Sequence, residues 1–256
     1  MPSHPLPWLS LDSAFPPIEQ AWPQESEAPG LLAAGADLSV SRLLAAYRQG
    51  IFPWYSEDQP ILWWSTDPRM VLDTRQFRIH RSFRKILRRF IANPNCEIRI
   101  DCDFARVIAR CASTPRDGQN GTWIVKPMVQ AYTALHHAGH AHSVETWVEG
   151  RLVGGLYCVG IGHAVFGESM FSVESDGSKI ALAALVALCL QHGVTAIDCQ
   201  QQTRHLYSLG ARPWSRTAFQ AQLIRECEQQ PIDWTWKHLY WNPLLAARHP
   251  DDVRPE

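Results

Sequence analysis

The chain has 256 residues, of which 46% are hydrophobic and 19% are charged, and its formal net charge is −1. Such a composition is typical of a globular protein with one large domain, or a main domain and a small one. The balanced charge excludes a uniformly basic nucleic-acid binder but leaves local basic patches open.

Seven cysteines stand at positions 96, 102, 111, 158, 189, 199 and 227, with no C-x-x-C pair. An odd number without paired spacing indicates free thiols in a reducing compartment rather than a disulfide framework. The first residues, M-P-S-H-P-L-P-W, lack the charged and apolar regions of a signal peptide. The longest apolar block, at 180–190, is too short to span a bilayer. We expect a cytoplasmic protein that does not contact a membrane.

The first third of the chain predicts a small domain, which we assign to residues 1–72. Residues 1–36 are rich in proline and acids, which predicts irregular surface chain. A short helix follows at 41–49, with Gly50 placed to end it. Trp54, Trp63 and Trp64 then form a rigid aromatic region, which is equally well explained as the core of this domain.

A dense basic tract occupies residues 69–89, where eight Arg or Lys residues face a single acid, Asp73. Its second half has helical periodicity. The residues on one face are Arg81, Arg84, Lys85, Arg88 and Arg89, at spacings of three and four. Because like charges repel along such a face, it favours an anionic partner such as a phosphate backbone. A merely solvated face is the alternative.

The remaining pattern predicts an α+β domain over residues 73–256. We expect strands at 96–101, 142–148, 152–159, 163–171 and 195–199, and helices at 104–111, 127–137, 178–191, 203–209 and 215–228. Glu149 and Gly150 predict a tight hairpin turn. This order resembles the acetyltransferase-like (GNAT) fold, in which a mixed sheet opens at its centre around the ligand.

Candidate site residues lie on two of these strands. Glu168 interrupts an apolar strand that leads into the 178–191 helix, and Asp198 and Gln200 end the later strand, where open sheets tend to bind ligands. Strand alternation predicts that Asp198 and Gln200 share a face and that Cys199 points away from it, which argues against a cysteine nucleophile. Gly154 and Gly155 inside a strand indicate either a bulge or the close approach of a ligand.

Four histidines, His136, His137, His140 and His142, first suggest a metal site. Gly139 breaks the helix between them, and neither a carboxylate nor a cysteine is close enough in sequence to complete a tetrahedral set. We therefore expect these histidines to cap a helix end and enter the sheet, and we predict no metal site.

Several strings together resemble the leucyl/phenylalanyl-tRNA–protein transferase family over residues 30–219. They are G-I-F-P-W-Y, I-L-W-W-S-T-D-P-R, G-T-W-I, A-H-S-V-E-T-W, G-E-S-M-F-S, S-K, I-D-C-Q and S-L-G-A. The resemblance implies transfer of Leu or Phe, and less well Met, from aminoacyl-tRNA to the N-terminal α-amine of proteins that begin with Lys or Arg. The product is thereby marked for N-degron degradation. It also implies a monomer without a cofactor.

The resemblance carries residue roles to matching positions. Trp54 and Trp123 would stack on the terminal adenosine of the tRNA, and Arg81, Lys85, Arg88 and Arg89 would bind its phosphates. Glu168 would hold polar atoms of the substrate, while Asp198 and Gln200 would position the attacking amine and help remove its proton. The aminoacyl pocket would be lined by Leu156, Val165, Phe166, Met170 and Leu185, where positions 165 and 185 can carry phenylalanine in the family.

Two alternatives remain open at this point. An acyl-CoA-dependent N-acetyltransferase fits the order of elements, but Glu174 and Asp176 would oppose a pyrophosphate in the loop before the 178–191 helix. A non-catalytic RNA-binding protein fits the basic face but leaves Glu168 and Asp198 without a role.

Overall fold

Two β-sheets, one of four strands and one of seven, organise the chain. The structure, a computed structural model, describes residues 5–114 and 124–246. Within those ranges no helix has both the length and the apolar character needed to cross a membrane.

The small sheet lies in the N-terminal part and has the order β1-β2-β4-β3. Its strands are β1 (Trp8–Leu9), β2 (Leu31–Gly35), β3 (Phe52–Pro53) and β4 (Leu62–Trp64), and helix α1 (Val40–Tyr47) follows β2. Every residue of β2 is buried. The prediction of irregular surface chain up to residue 36 is therefore wrong for β2, because the short L-L-A-A-G run is hidden by the proline-rich sequence around it.

The large sheet has the order β11-β5-β10-β9-β8-β7-β6. Its strands are β5 (Arg69–Asp73), β6 (Cys96–Ile100), β7 (Ala141–Val148), β8 (Arg151–Ile161), β9 (Ala164–Ser172), β10 (Ala196–Gln200) and β11 (Arg212–Trp214). All neighbours are antiparallel except β9 and β10, which run parallel. The sheet is thus mixed, as predicted.

Helices cover both faces of the large sheet and create two hydrophobic cores. They are α2 (Arg81–Ala92), α3 (Phe104–Ser113), α4 (Lys126–His137), α5 (Gly177–Gln191), α6 (Arg204–Ser208), α7 (Arg216–Cys227) and α8 (Trp241–Ala246). Helices α2, α5 and α8 supply the core on one face. Helices α3, α4 and α7 share the other with α1 and the small sheet. The face that carries α3, α4 and α7 is therefore covered by both parts of the chain.

The predicted helices and strands are confirmed to within a few residues, but β5 and β11 were not predicted. Strand β5 begins with Arg69, so its sequence was grouped with the basic tract rather than with the sheet. Four of its five residues precede the predicted domain boundary at residue 72, yet β5 pairs with β10 and β11 in the large sheet. A boundary before Arg69 fits this pairing better.

Two glycine predictions have clear outcomes. Glu149 and Gly150, with φ of 51° and 72°, make the two-residue hairpin turn that joins β7 and β8. Gly154 is explained by the chain itself, because a Cβ there would lie 2.4 Å from the backbone carbon of Gly177. The absence of a side chain lets the start of α5 rest on β8, so a ligand is not needed to account for this glycine.

Candidate active site

The central feature of the large sheet is an opening between its two parallel strands. Strands β9 and β10 pair only through Ile197 with Val165 and Asp198 with Phe166. Beyond these pairs, both strands continue without pairing to each other. A cavity of about 300 Å³ occupies this opening.

The cavity has apolar walls and a polar end. The apolar side chains are Phe52, Leu156, Met170, Leu182, Leu185, Ile197 and Leu206. Glu168 and Gln200 supply polar atoms, and Trp54 lies at the boundary with the small sheet. Such a lining suits a substrate that combines an apolar side chain with a few polar groups.

Glu168 is held by side chains from three other elements. Tyr47 of α1 donates a hydrogen bond to Oε1 at 2.8 Å, and Tyr132 of α4 donates to Oε2 at 3.1 Å. Gln200 Nε2 donates to Oε1 at 2.8 Å. Since a carboxylate only accepts, this bond turns the amide oxygen of Gln200 away from Glu168. That oxygen is left as an acceptor at the polar end.

The two tyrosine hydroxyls that bond to Glu168 also contact each other, so three O···O contacts join these hydroxyls and the carboxyl. Both hydroxyls donate to the carboxyl oxygens, which favours the ionised form of Glu168.

Burial raises the pKa of Glu168 to about 7, against the opposing effect of the two hydroxyls and with a smaller contribution from the charge of Asp198. The carboxyl group can therefore change its protonation state near neutral pH, as groups in active sites often do.

Asp198 lies on the other side of β10 and does not line this cavity. Its carboxylate accepts two hydrogen bonds from Arg69, Nε at 2.8 Å and Nη2 at 2.7 Å, and one from the backbone N–H of Gln200 at 2.8 Å. Arg69 is 1% exposed, sits between the rings of Phe52 and Phe219, and also donates to the carbonyl of Gly50. The pair is a desolvated, bidentate ion pair.

The prediction that Asp198 and Gln200 share one face, with Cys199 pointing away, is wrong. A register shift between Asp198 and Gln200 and a φ of 59° at Gln200 interrupt the alternation of β10. Cys199 consequently lines the cavity with Gln200. Burial and the nearby charge of Asp198 raise the pKa of the Cys199 thiol to about 12, so it has no nucleophilic thiolate at neutral pH.

A second irregularity, in β9, decides which predicted pocket residues reach the cavity. Ser169 pairs with Tyr157 and Gly167 with Cys158, so Glu168 is an extra residue without a partner on β8. This bulge reverses the alternation of β9 after residue 168.

Three of the five predicted pocket residues line the cavity, namely Leu156, Met170 and Leu185. Val165 and Phe166 do not, and that part of the prediction is corrected. Val165 is buried in the core beneath α5, and the Phe166 ring packs against Tyr47 at 4.9 Å between centroids.

One of the two predicted stacking tryptophans can be located. Trp54 lines the cavity, and its ring packs against Trp64 with centroids 5.3 Å apart. The indole N–H of Trp64 donates to the carbonyl of Trp54 at 2.7 Å, which fixes the backbone there. Trp123 lies outside the described residues.

The predicted basic face is a surface groove along α2. Its volume is about 620 Å³, and it is lined by Arg81, Arg84, Lys85, Arg88, Arg89 and Ala92. Phe83, Leu87 and Phe90 are buried on the opposite side of the helix, which anchors it to the sheet. Arg81, Lys85, Arg88 and Arg89 are exposed, whereas Arg84 is half-buried and donates to the carbonyl of Leu245 at 3.3 Å.

The histidines have structural partners. His136 Nδ1 lies 2.8 Å from the carbonyl oxygen of Ala141, and its ring stacks on Phe104. His142 is in β7, with Nδ1 2.7 Å from the Asp101 carboxylate and its ring stacked on Trp234. These contacts match the predicted role at a helix end and in the sheet.

Comparisons with known proteins agree with the geometry. Residues 71–224 match the family model for leucyl/phenylalanyl-tRNA protein transferase, and residues 36–67 match the model for the N-terminal domain of that enzyme. The chain belongs to this family. A leucyl/phenylalanyl-tRNA–protein transferase from Polaromonas sp. is 57% identical over 246 residues, which are 96% of each chain. One from Leptothrix cholodnii is 59% identical over 254 residues, 98% of this chain and 99% of the relative.

Family membership makes the protein an aminoacyltransferase. The structure in turn shows three residues beside the predicted acids that sequence reasoning missed. Tyr47, Arg69 and Tyr132 contact the predicted acids but come from distant elements. A signal existed only for Arg69, since an arginine in the apolar run M-V-L requires a buried acid as partner. The tyrosines look like ordinary core residues in the sequence.

Proposed function

We propose that the protein transfers leucine or phenylalanine, and less well methionine, from aminoacyl-tRNA to the N-terminal α-amine of proteins that begin with Lys or Arg. The product would enter N-degron degradation. The observation that carries the proposal is the apolar cavity with Glu168 and Gln200 at its polar end, Trp54 beside it and the basic groove of α2 on the same chain. This combination fits the aminoacylated terminus of a charged tRNA together with the acceptor stem next to it.

The donor would bind through stacking and phosphate contacts. The terminal adenosine would stack on Trp54, and on Trp123 as the family resemblance implies, at about 1–3 kcal/mol for each base. Arg81, Lys85, Arg88 and Arg89 would hold the acceptor stem by its phosphates. Contacts of this kind position the RNA but do not read the amino acid.

The amino-acid side chain would enter the apolar cavity. Leu156, Met170 and Leu185 form its wall together with Leu182 and Ile197. A pocket of this type separates side chains that differ by one methylene by only about 1–3 kcal/mol. Glu168, at the polar end, would hold the amino group of the aminoacyl moiety.

The reaction joins the acceptor nitrogen to the ester carbonyl carbon and breaks the bond from that carbon to the ribose oxygen. The amine gives up one proton and the ribose oxygen takes one. Because the ester is activated and an α-amine of pKa about 7.7–8.0 is roughly one tenth neutral at pH 7, little acid–base help is needed. Alignment can contribute about 7–11 kcal/mol. We assign the alignment of the amine to the amide oxygen of Gln200, which would accept a hydrogen bond from the attacking nitrogen.

Asp198 would act through Gln200 rather than as the base. Its oxygens are occupied by Arg69 and by the Gln200 N–H, and it lies away from the cavity. The bond to the N–H holds the strained backbone of Gln200 in place. Asp198 is therefore a positioning residue. The proton of the amine would go to the ribose oxygen that leaves the ester, which becomes a hydroxyl.

We also propose an acetyltransferase-like (GNAT) architecture for the large domain, with a small domain before it. The support is the mixed sheet that opens between its parallel strands. The N–H of Ser178 at the start of α5 is bonded to Ser172 Oγ at 2.8 Å, which leaves it unsuited to a coenzyme A pyrophosphate. A cytoplasmic monomer is proposed because the donor is a tRNA and Tyr47, Tyr132, Glu168 and Gln200 come from one chain.

The decisive test is the transfer of labelled leucine from charged tRNA to a peptide that begins with Arg. A peptide with Ala in first position is the matched control. We expect labelling of the Arg peptide only. Equal labelling of both peptides would contradict the preference for acceptors that begin with Lys or Arg. Binding of charged tRNA without labelling of either peptide would favour a non-catalytic RNA-binding protein.

A further inference from the structure

A second cavity lies between the aminoacyl cavity and the basic groove of α2. Its volume is about 280 Å³. Arg78, His80 and Ser82 line it on the α2 side, and Lys179 and His205 line it from α5 and α6. His205 also lines the aminoacyl cavity, and Ser82 is the neighbour of Arg81 in the basic groove. The second cavity therefore adjoins the aminoacyl cavity through His205 and lies next to the basic groove through Ser82.

The walls of this second cavity are joined by direct bonds. The N–H of Arg78 donates to the carbonyl of Leu209 at 2.8 Å, and His80 Nε2 lies 3.0 Å from the carbonyl oxygen of Ser208. The start of α2 is thus tied to the end of α6. The cavity is formed before any ligand arrives, which lowers the cost of binding.

The charge in the cavity is suited to an anion. Asp176 also lines the cavity, and its carboxylate alone would repel a phosphate. Its Oδ1 lies 2.7 Å from Lys179 Nζ, so the charges of this pair cancel and Arg78, an exposed cation, leaves the lining with a net positive charge. Burial and the Lys179 ammonium lower the pKa of His205, which shows that its surroundings disfavour a further positive charge. A phosphate would relieve this repulsion and could accept hydrogen bonds from the histidine and serine side chains.

We propose that this cavity binds the phosphates of the unpaired nucleotides between the terminal adenosine and the acceptor stem. The inference rests on the proposed function. With the adenosine at Trp54 and the stem on α2, the connecting strand must cross the surface that joins them, and this cavity lies there. Grooves of this kind follow the backbone of a single strand through basic side chains and carry no base-specific information.

The experiment compares three donors that differ in their phosphates: phenylalanyl-adenosine, phenylalanyl-CpCpA and phenylalanyl-tRNA. The variant is Arg78→Gln/Lys179→Gln, and Arg225→Gln on α7 is the control for removal of a surface charge. We expect kcat/KM of the variant to fall roughly tenfold with the trinucleotide and with tRNA. With phenylalanyl-adenosine it should equal that of the wild type, which also shows that the variant is folded.

Salt dependence gives an independent readout. With phenylalanyl-CpCpA, the slope of log kcat/KM against log salt should become shallower by about 0.7 for each phosphate contact removed. The control should keep the wild-type slope.

Three results would overturn the inference: no loss with the trinucleotide, an equal loss with phenylalanyl-adenosine, or a loss confined to whole tRNA. A loss confined to whole tRNA would indicate that Arg78 and Lys179 contact the acceptor stem instead. If the wild type transfers phenylalanine from none of the donors, the proposed function fails instead.

Discussion

At the residue scale, two acids that look alike in the sequence lie in different electrostatic environments. Asp198 is ionised in a buried pair with Arg69, whereas Glu168 is surrounded by hydroxyls and an amide and its pKa is raised to about 7. An arginine in direct contact compensates the burial of the first acid. The second acid is bonded to neutral donors, and the charge of Arg69 acts on it without direct contact. The two acids can therefore divide positioning and substrate contact between them.

Glu168→Gln should change how stability depends on pH. In the wild type the unfolded chain ionises this acid near pH 4.5, but the folded protein keeps the proton until about pH 7. The free energy of unfolding should thus fall as pH rises through this window, by at most about 3 kcal/mol. The variant should lack this fall in urea titrations at pH 5 and pH 8. Glu25→Gln, in an exposed loop, should behave like the wild type, and an unchanged pH slope in Glu168→Gln would assign the titration to another group.

Asp198→Ala should destabilise the protein as well as slow transfer. Removing the acid leaves the Arg69 guanidinium buried without its partner, which costs about 3–5 kcal/mol. Urea unfolding measures this loss. The control is Arg69→Leu/Asp198→Leu, which removes both charges.

The double variant should recover much of the stability. It should still transfer slowly, since the Gln200 N–H has lost its acceptor. Full activity in the double variant would show that Asp198 does not position Gln200.

At the scale of elements, the bulges in β9 and β10 determine the site. Each strand places a functional side chain where regular alternation would not: Glu168 among the tyrosines, and Gln200 toward Glu168. Helix α2 acts differently, because its regular periodicity alone separates a buried apolar side from an exposed basic one.

Arg88→Glu on α2 should weaken the use of tRNA. It would remove the proposed phosphate contact and add a repulsive charge, so kcat/KM for aminoacyl-tRNA should fall and the salt slope should become shallower by about 1. Transfer from an aminoacyl-adenosine should be unchanged, because that donor has no stem. Arg225→Glu is the matched charge reversal on α7, and an equal effect of both variants would indicate general attraction rather than a defined groove.

At the scale of the whole molecule, the site is assembled from both parts of the chain. Tyr47 reaches Glu168 from α1, beside the small sheet, while Tyr132, Glu168 and Gln200 belong to the large one. Arg69 likewise bonds the carbonyl of Gly50 after α1. The N-terminal part of the chain therefore contributes a side chain and a backbone carbonyl to the surroundings of the candidate site.

A double-mutant cycle on Tyr47→Phe and Tyr132→Phe should reveal this coupling. Each single variant should cost about 0.5–1.5 kcal/mol of stability. Because each hydroxyl lowers the pKa of Glu168, each loss should raise that pKa further and shift the pH window of destabilisation upward. Interaction energies in such networks are about 0.5–3 kcal/mol. If the stability losses of the two variants in urea unfolding were strictly additive, the hydrogen-bond network of Tyr47, Tyr132 and Glu168 would be contradicted.

The sequence by itself determined helices α1 to α7 and strands β6 to β10, the basic face of α2 and the family resemblance. These features depend on local periodicity, turn residues and short strings, which are readable without knowing the fold. It also pointed to Glu168 and Gln200, because polar residues on apolar strands are unusual.

Only the tertiary structure decided which side chains meet. Because of the bulges, Asp198 lies outside the cavity and Cys199 lines it. Val165 and Phe166 are buried in the hydrophobic cores instead of lining the pocket. Tyr47, Arg69 and Tyr132 became visible as partners only when distant elements were brought together. A one-residue change of register reverses every later side chain in a strand, and neither periodicity nor composition records it.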